Sequence, residues 1–371
     1  MIAGALKGFK GVEANTYVST IFKVGASLDP DLTHGEELAK TTRLWDLESL
    51  GIMDGEVAVD DTLAFDRFVD TIYYDNGQYW VKLPLKENRS CLPDNKGPAL
   101  SQLRGLMTRL HKEPALLECY ASAIQQLIEL NFVERVTNTE AGKEVHYLPH
   151  HGVKKDSIST PLRVVFNASS KAQKGFSLND CLLRGPNLTE KLESSLLKFR
   201  AGRYGFTADI SKAFLRVGLQ EEDRDFTRFV WKADPYDINS PIVTYRFKAV
   251  LFGATCSPFL LQATLAHHFK ACDSDIAGLL AKSFYVDNLI GAVNCDQTLL
   301  EIYPEANRVL AAANMPLHQW ASNSLALRTR VNEEEEEKML EEIGVLGINW
   351  DTVSDKLNIK GPKWGPLPAT K

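Results

Sequence analysis

At 371 residues, 44% apolar and 24% charged, the chain has an ordinary globular composition with ample material for a core. No run of about 18 apolar residues is present, and Lys7, Lys10 and Glu13 interrupt the N-terminus; these features argue against a membrane span and a signal peptide and predict an intracellular chain. The net charge of −6 argues against a polyanion-binding surface over the whole chain. Much of the acidic excess lies in Glu333–Glu337, Glu341 and Glu342, read as a solvated helix face. The middle of the chain is locally basic, through Lys198, Arg200, Arg203, Arg216, Arg224, Arg228, Lys232, Arg246 and Lys248.

In chain order, residues 1–40 are weakly patterned and residues 41–75 read as helical in pieces. Tyr73–Val81 reads as a β-hairpin, because Asn76-Gly77 supplies the positive φ angles of a tight turn between aromatic flanks. Helices are predicted over 99–110 and 116–131, the second from Tyr120, Ile124, Leu127, Ile128 and Leu130 at helical spacing. An extended segment, Arg163-Val164-Val165-Phe166, leads to a loop with Asn179-Asp180. The prediction continues with a helix at 189–200, a strand at 203–209, a helix at 211–217, strands at 226–232 and 243–248, and a helix at 257–270. A hairpin at 283–292, a helix at 297–314, and short strands at 317–320 and 345–350 complete it. The tail after 358 reads as unstructured.

The six cysteines (91, 119, 181, 256, 272 and 295) include no C-x-x-C pair, which points to reduced thiols and away from a disulfide framework or zinc site. His146, His150, His151 and the pair His267-His268 lack partners at metal-ligand spacing and read as ordinary histidines.

Four segments carry chemistry. In Phe206–Phe214, strand alternation brings Asp209 to a strand end, where it faces a cleft or caps the next turn. In Phe284–Ile290, apolar residues wrap Asp287-Asn288, which reads as the two-residue turn of a hairpin; a carboxylate there loses hydration unless cations meet it. Two such carboxylates brought together suit Mg²⁺, with Mn²⁺ as the alternative, and two ions can activate a 3′-hydroxyl and stabilise leaving pyrophosphate. In Leu251–Phe259, Gly253 lets backbone approach a ligand and Ser257-Pro258 starts a helix, Ser as cap and Pro in the first turn. In Pro161–Ser169, Arg163 heads an apolar strand, either as a strand-edge charge or as a fork for a triphosphate.

The order of these segments resembles the successive fingers and palm motifs of reverse transcriptases. His318–Asn323 and Val345–Asp351 resemble the later palm and primer-grip segments of BEL/Pao-type LTR retrotransposon polyproteins. Leu44–Ile52 resembles the linker between protease and polymerase in those polyproteins. The resemblance covers residues 40 to 358. It implies an α+β fold of right-hand fingers and palm, with an antiparallel palm sheet packed on helices and the thumb and RNase H domain absent or truncated. The implied organisation is a polyprotein tail at 1–40, a linker with hairpin at 41–98, fingers at 99–202, palm with primer grip at 203–358 and a disordered tail at 359–371.

The implied activity is RNA-directed DNA synthesis, with RNA or DNA template–primer and deoxynucleoside triphosphates as partners. Protease, RNase H and integrase accompany it in an intact element, in the cytoplasm within virus-like particles. By the same resemblance Asp209 and Asp287 bind metal, with Asn288 beside them, and Ile210, Ser211, Lys212 and Ala213 lie along the triphosphate with Arg163. Phe214 is the gate against a ribose 2′-hydroxyl and Gly253 positions template and nucleotide. Tyr285, Ser257, Gly347 and Trp350 attend the primer and template.

The chain departs from the family pattern in three places. Asn288 stands where a second Asp is commonest, which predicts weaker metal affinity and leaves a catalytically weakened or dead nucleic-acid-binding remnant as the other reading. Gln319 stands where Lys often precedes Trp, with His318 beside it as a substitute proton donor. Asp61-Thr62-Leu63 is not the Asp-Thr-Gly of an aspartic protease.

Overall fold

The computed structural model describes residues 59–137, 144–154, 162–172, 175–334 and 339–358. The tails at 1–40 and 359–371, the helical pieces before residue 59, the linker-like Leu44–Ile52 and part of the acidic run at 333–337 lie outside them. The described chain is α+β, built on five small sheets.

Helix α1 (Val59–Thr71) buries Ala64 and Phe68 and leads into the expected hairpin, β1 (Tyr73–Asp75) and β2 (Gln78–Val81). Asn76 and Gly77 turn it at φ 48° and 79°. Helix α2 (Lys96–Leu110) buries Ala99, Leu103, Leu106, Met107 and Leu110 along one stripe. Pro114 opens α3 (Pro114–Glu129), where proline's missing N–H costs nothing, and Leu117, Tyr120, Ala121 and Ile124 form its buried face.

Beyond α3 come β3 (Val133–Arg135), β4 (His150–Lys154), β5 (Leu162–Phe166) and α4 (Leu192–Phe199). They are followed by β6 (Tyr204–Ile210), β7 (Gly218–Leu219), α5 (Glu221–Arg224), β8 (Arg228–Lys232) and β9 (Ile242–Phe247). Helices α6 (Ser257–Ala271) and α7 (Ala277–Leu280) precede β10 (Phe284–Tyr285) and β11 (Asn288–Val293). The rest is α8 (Asp296–Ala312), β12 (Leu317–Ser322), α9 (Leu325–Glu334) and the meander β13 (Glu342–Val345), β14 (Ile348–Asp351) and β15 (Lys356–Asn358).

The sheet that positions the site is antiparallel, in the order β10-β11-β6-β12, with α4 and α8 packed on it. Its central strand β6 is buried on both faces through Phe206, Thr207 and Ala208, and Phe206 stacks on Trp320 at 6.3 Å. Pairing with β11 on one side and β12 on the other fixes the register of β6, since a slip of one residue would exchange the side chains of its two buried faces and lose their packing.

Three local expectations are corrected. The predicted helix 211–217 is a single 3-10 turn, Ala213–Arg216, because Lys212 adopts a left-handed conformation at φ 54° and breaks helical continuation. The predicted strand 345–350 is a hairpin, with Leu346 and Gly347 turning at φ 48° and 88°. The third concerns Asp287 and is described with the site. Among the described residues no helix is long and apolar enough to cross a membrane.

Candidate active site

Asp209 sits near the end of β6 between two strands. It pairs with Asn288 of β11 on one side and His318 of β12 on the other. The ladder runs on into the hairpin tip, where the Ile210 N–H donates to the Asp287 carbonyl at 3.0 Å. Antiparallel pairing therefore brings together two carboxylates separated by nearly eighty positions in the chain.

The hairpin turn falls on Val286 and Asp287, not on Asp287 and Asn288, since Tyr285 pairs directly with Asn288. Val286 takes φ 58°, a costly conformation for a β-branched residue, and the apolar packing of Phe284, Tyr285 and Val286 against the core holds it there. The shift makes Asn288 the first residue of β11, directly opposite Asp209, and its Nδ2 donates to Asp287 Oδ1 at 2.9 Å.

The two carboxylates open onto one cleft of about 430 Å³, lined also by Arg163, Ile210, Ser211, Lys212, Ala213, Gly253 and His318. The Asp209 side chain is 35% exposed, so the pair is reachable from solvent. Burial and then the neighbouring charge of Asp287 push the Asp209 carboxyl up to about 7. Burial also raises Asp287, opposed by hydrogen bonds from its own backbone and from Asn288 and by the charge of Arg163. This pair of mutually repelling, partly dehydrated carboxylates, with one guanidinium nearby, fits a divalent cation by the chemistry of its donors.

His318 Nε2 lies 3.6 Å from Asp209 Oδ2. A bulge between His318 and Ala321, with Gln319 at φ 52°, lets His318 face the cleft while Trp320 turns into the core.

The other expected residues divide. Phe214 and Tyr285 line a second, larger groove of about 1030 Å³, and Gly253 borders both spaces. Phe214 packs edge-on against Phe252 at 4.8 Å. Ser257 also borders this groove but is 1% exposed, and its hydroxyl donates to the Leu251 carbonyl at 2.6 Å. It is the first residue of α6, not its cap, and its hydroxyl is spent on the loop and not on template or primer. Gly347 stands in an open turn, but Trp350 is fully buried, edge-on to Phe199 at 4.8 Å, with its indole N–H donating to Asp355 at 2.9 Å. Its surface is unavailable to a primer.

Much of the expected basic surplus is consumed internally. Arg228 and Arg246 both pair with buried Asp225, at 2.8 and 3.2 Å, and Arg246 and Arg224 share Glu134. Arg200 pairs with Asp355 and Lys198 with Glu190. His150 and His268 are core residues held by Tyr120 with Val230 O, and by Tyr79 with Val309 O.

Sequence reasoning missed Asn179 as a contributor to the cleft wall; nothing in its local pattern reveals that its amide meets the Gly253 loop.

Residues 155–322 match the family model described as "Reverse transcriptase (RNA-dependent DNA polymerase)". Comparison with curated proteins finds no match. Among solved structures, the chain is similar to a foamy viral protease-reverse transcriptase in complex with dsDNA, at 16% identity and TM-score 0.44, covering 65% of this chain and 41% of that one. It is also similar to a foamy viral protease-reverse transcriptase in complex with an RNA/DNA hybrid, at 15% identity and TM-score 0.42, covering 64% and 26%. The chain thus spans less than half the length of these proteins.

Proposed function

We propose that this chain, which carries a reverse transcriptase domain over residues 155–322, is the fingers and palm of an RNA-directed DNA polymerase from a BEL/Pao-type retrotransposon. The observation that carries the reading is the strand pairing that sets Asp209 and Asp287 side by side at the mouth of a cleft containing Arg163. Asp209 and Asp287 would hold Mg²⁺, which supplies Lewis-acid activation of a primer 3′-hydroxyl and charge neutralisation at the triphosphate. The chain's own groups do the rest. Arg163 and the backbone from Ile210 to Ala213 bind and orient the triphosphate, Phe214 excludes a 2′-hydroxyl, and His318 stands where it can hold a proton beside Asp209. Primer extension on a homopolymer RNA template with Mg²⁺ tests the reading, and activity that survives Asp209→Asn would remove it.

A second reading, a nucleic-acid-binding remnant, is favoured by one observation: the residue opposite Asp209 is an amide whose N–H₂ group already engages Asp287. Asn288→Asp separates the two. If neither form extends a primer and both bind template–primer with salt-dependent affinity, the remnant reading stands.

A further inference from the structure

The wall between the cleft and the larger groove is a short loop, Gly253–Thr255, and its backbone is tied to a side chain far away in sequence. Asn179 Oδ1 accepts the Thr255 N–H at 2.9 Å, and Asn179 Nδ2 donates to the Gly253 carbonyl at 3.0 Å and to Ser169 Oγ at 2.8 Å. One amide thus grips the loop on both sides of Ala254. A carboxamide carries an acceptor and a donor on the same carbon, which lets one side chain make both bonds at once. Asn179 is itself fixed: its N–H donates to the Ala168 carbonyl at 3.0 Å. Next to it, Asp180 accepts from the Ser177 N–H and hydroxyl and pairs with Lys171, all within 2.8 Å. The loop has little slack, because Gly253 stands at φ +97° and a Cβ there would lie 2.9 Å from the Phe166 carbonyl.

We propose that Asn179 is a positioning residue for nucleotide selection, holding the Gly253–Thr255 loop against the end of β5 at the spacing that admits a correctly paired deoxynucleotide. The proposal rests on the polymerase reading above. Asn179 touches no reacting atom and acts through the wall that Gly253 presents to the cleft. Loosening that wall changes how tightly the incoming nucleotide and its templating base are held, more than the rate of bond formation once they are aligned.

The test is steady-state primer extension on an RNA template by wild type, Asn179→Ala and Asn179→Asp. The Asp variant keeps the size and the acceptor for Thr255 but cannot donate to Gly253, so it serves if the Ala variant does not fold. The expected result is a rise of about tenfold in KM for the correct deoxynucleotide, with kcat within about threefold of wild type and a misinsertion ratio raised about tenfold. Folded variants with unchanged KM and unchanged misinsertion would overturn the assignment, as would a loss confined to kcat, which marks a merely structural role. A wild-type chain that extends no primer would overturn the polymerase reading and this inference together, whereas an active wild type beside indifferent variants would remove this inference alone.

Discussion

His318 and Asp209 face each other across the β6–β12 pairing with Nε2 and Oδ2 3.6 Å apart, and the bulge at Gln319 is what puts them there. Without the extra residue, strand alternation could not both aim His318 at the cleft and bury Trp320 between Phe206 and Tyr303. The cleft and the core beneath it are therefore set by the same irregularity.

Asp209→Asn removes one of two carboxylates that repel each other. Primer extension should fall by at least about a thousandfold, as expected when a metal-holding group is lost. In metal-free buffer at neutral pH the same variant should melt about a few degrees higher than wild type, because the dehydrated charge is gone. A variant that melts no higher and loses no activity would show that the two carboxylates do not share a site.

Val286→Gly releases a β-branched residue from φ 58°. Relief of the strain is offset by the lost packing and by glycine's larger freedom in the unfolded chain, so stability should change by no more than about 1 kcal/mol, while primer extension drops severalfold because Asp287 is held less firmly. Chemical denaturation read beside single-turnover rates checks both.

Phe214→Val shortens the ring that packs on Phe252 at the edge of the larger groove. Incorporation of ribonucleotides relative to deoxynucleotides should rise about tenfold or more. Unchanged sugar discrimination would discredit the gate.

His150 supplies a pH dependence away from the cleft. Burial, outweighing the Val230 carbonyl's hydrogen bond, lowers its pKa from 6.5 to about 4, so the folded state holds it neutral. Between those values the unfolded chain binds more protons. Stability should be full above pH 6.5 and fall as the pH drops towards 4, by roughly 3 kcal/mol from this residue. Denaturation midpoints from pH 4 to 7 should show the slope in wild type, and His150→Gln should flatten it.

The sequence carried the Asp209 and Asp287 segments and the Asn76-Gly77 hairpin, because each rests on period-two alternation or a turn dipeptide written into consecutive residues. It misplaced the turn at Asp287 because Asp-Asn has the better turn chemistry; the register with β6 and the packing around Tyr285 overrode it. The Leu346-Gly347 turn was passed over because the apolar run around it reads as continuous strand. The fates of Arg228, Arg246 and Arg224 were hidden for another reason. Tertiary folding brings Glu134 to Arg224 and Arg246 and Asp225 to Arg246, whereas Asp225 stands only three residues before Arg228; positive charge counted along a sequence takes no account of what neutralises it.

On the polymerase reading, that neutralised arginine cluster bears on how the protein would meet a polyanion. Charges already matched inside a fold project little field into the surrounding solution, and the chain as a whole is negative. Long-range steering therefore contributes little to capture, and lowering the ionic strength should accelerate encounter only weakly. On the polymerase reading, discrimination would then rest on close fit after contact, with residence time, not arrival rate, as the adjustable quantity.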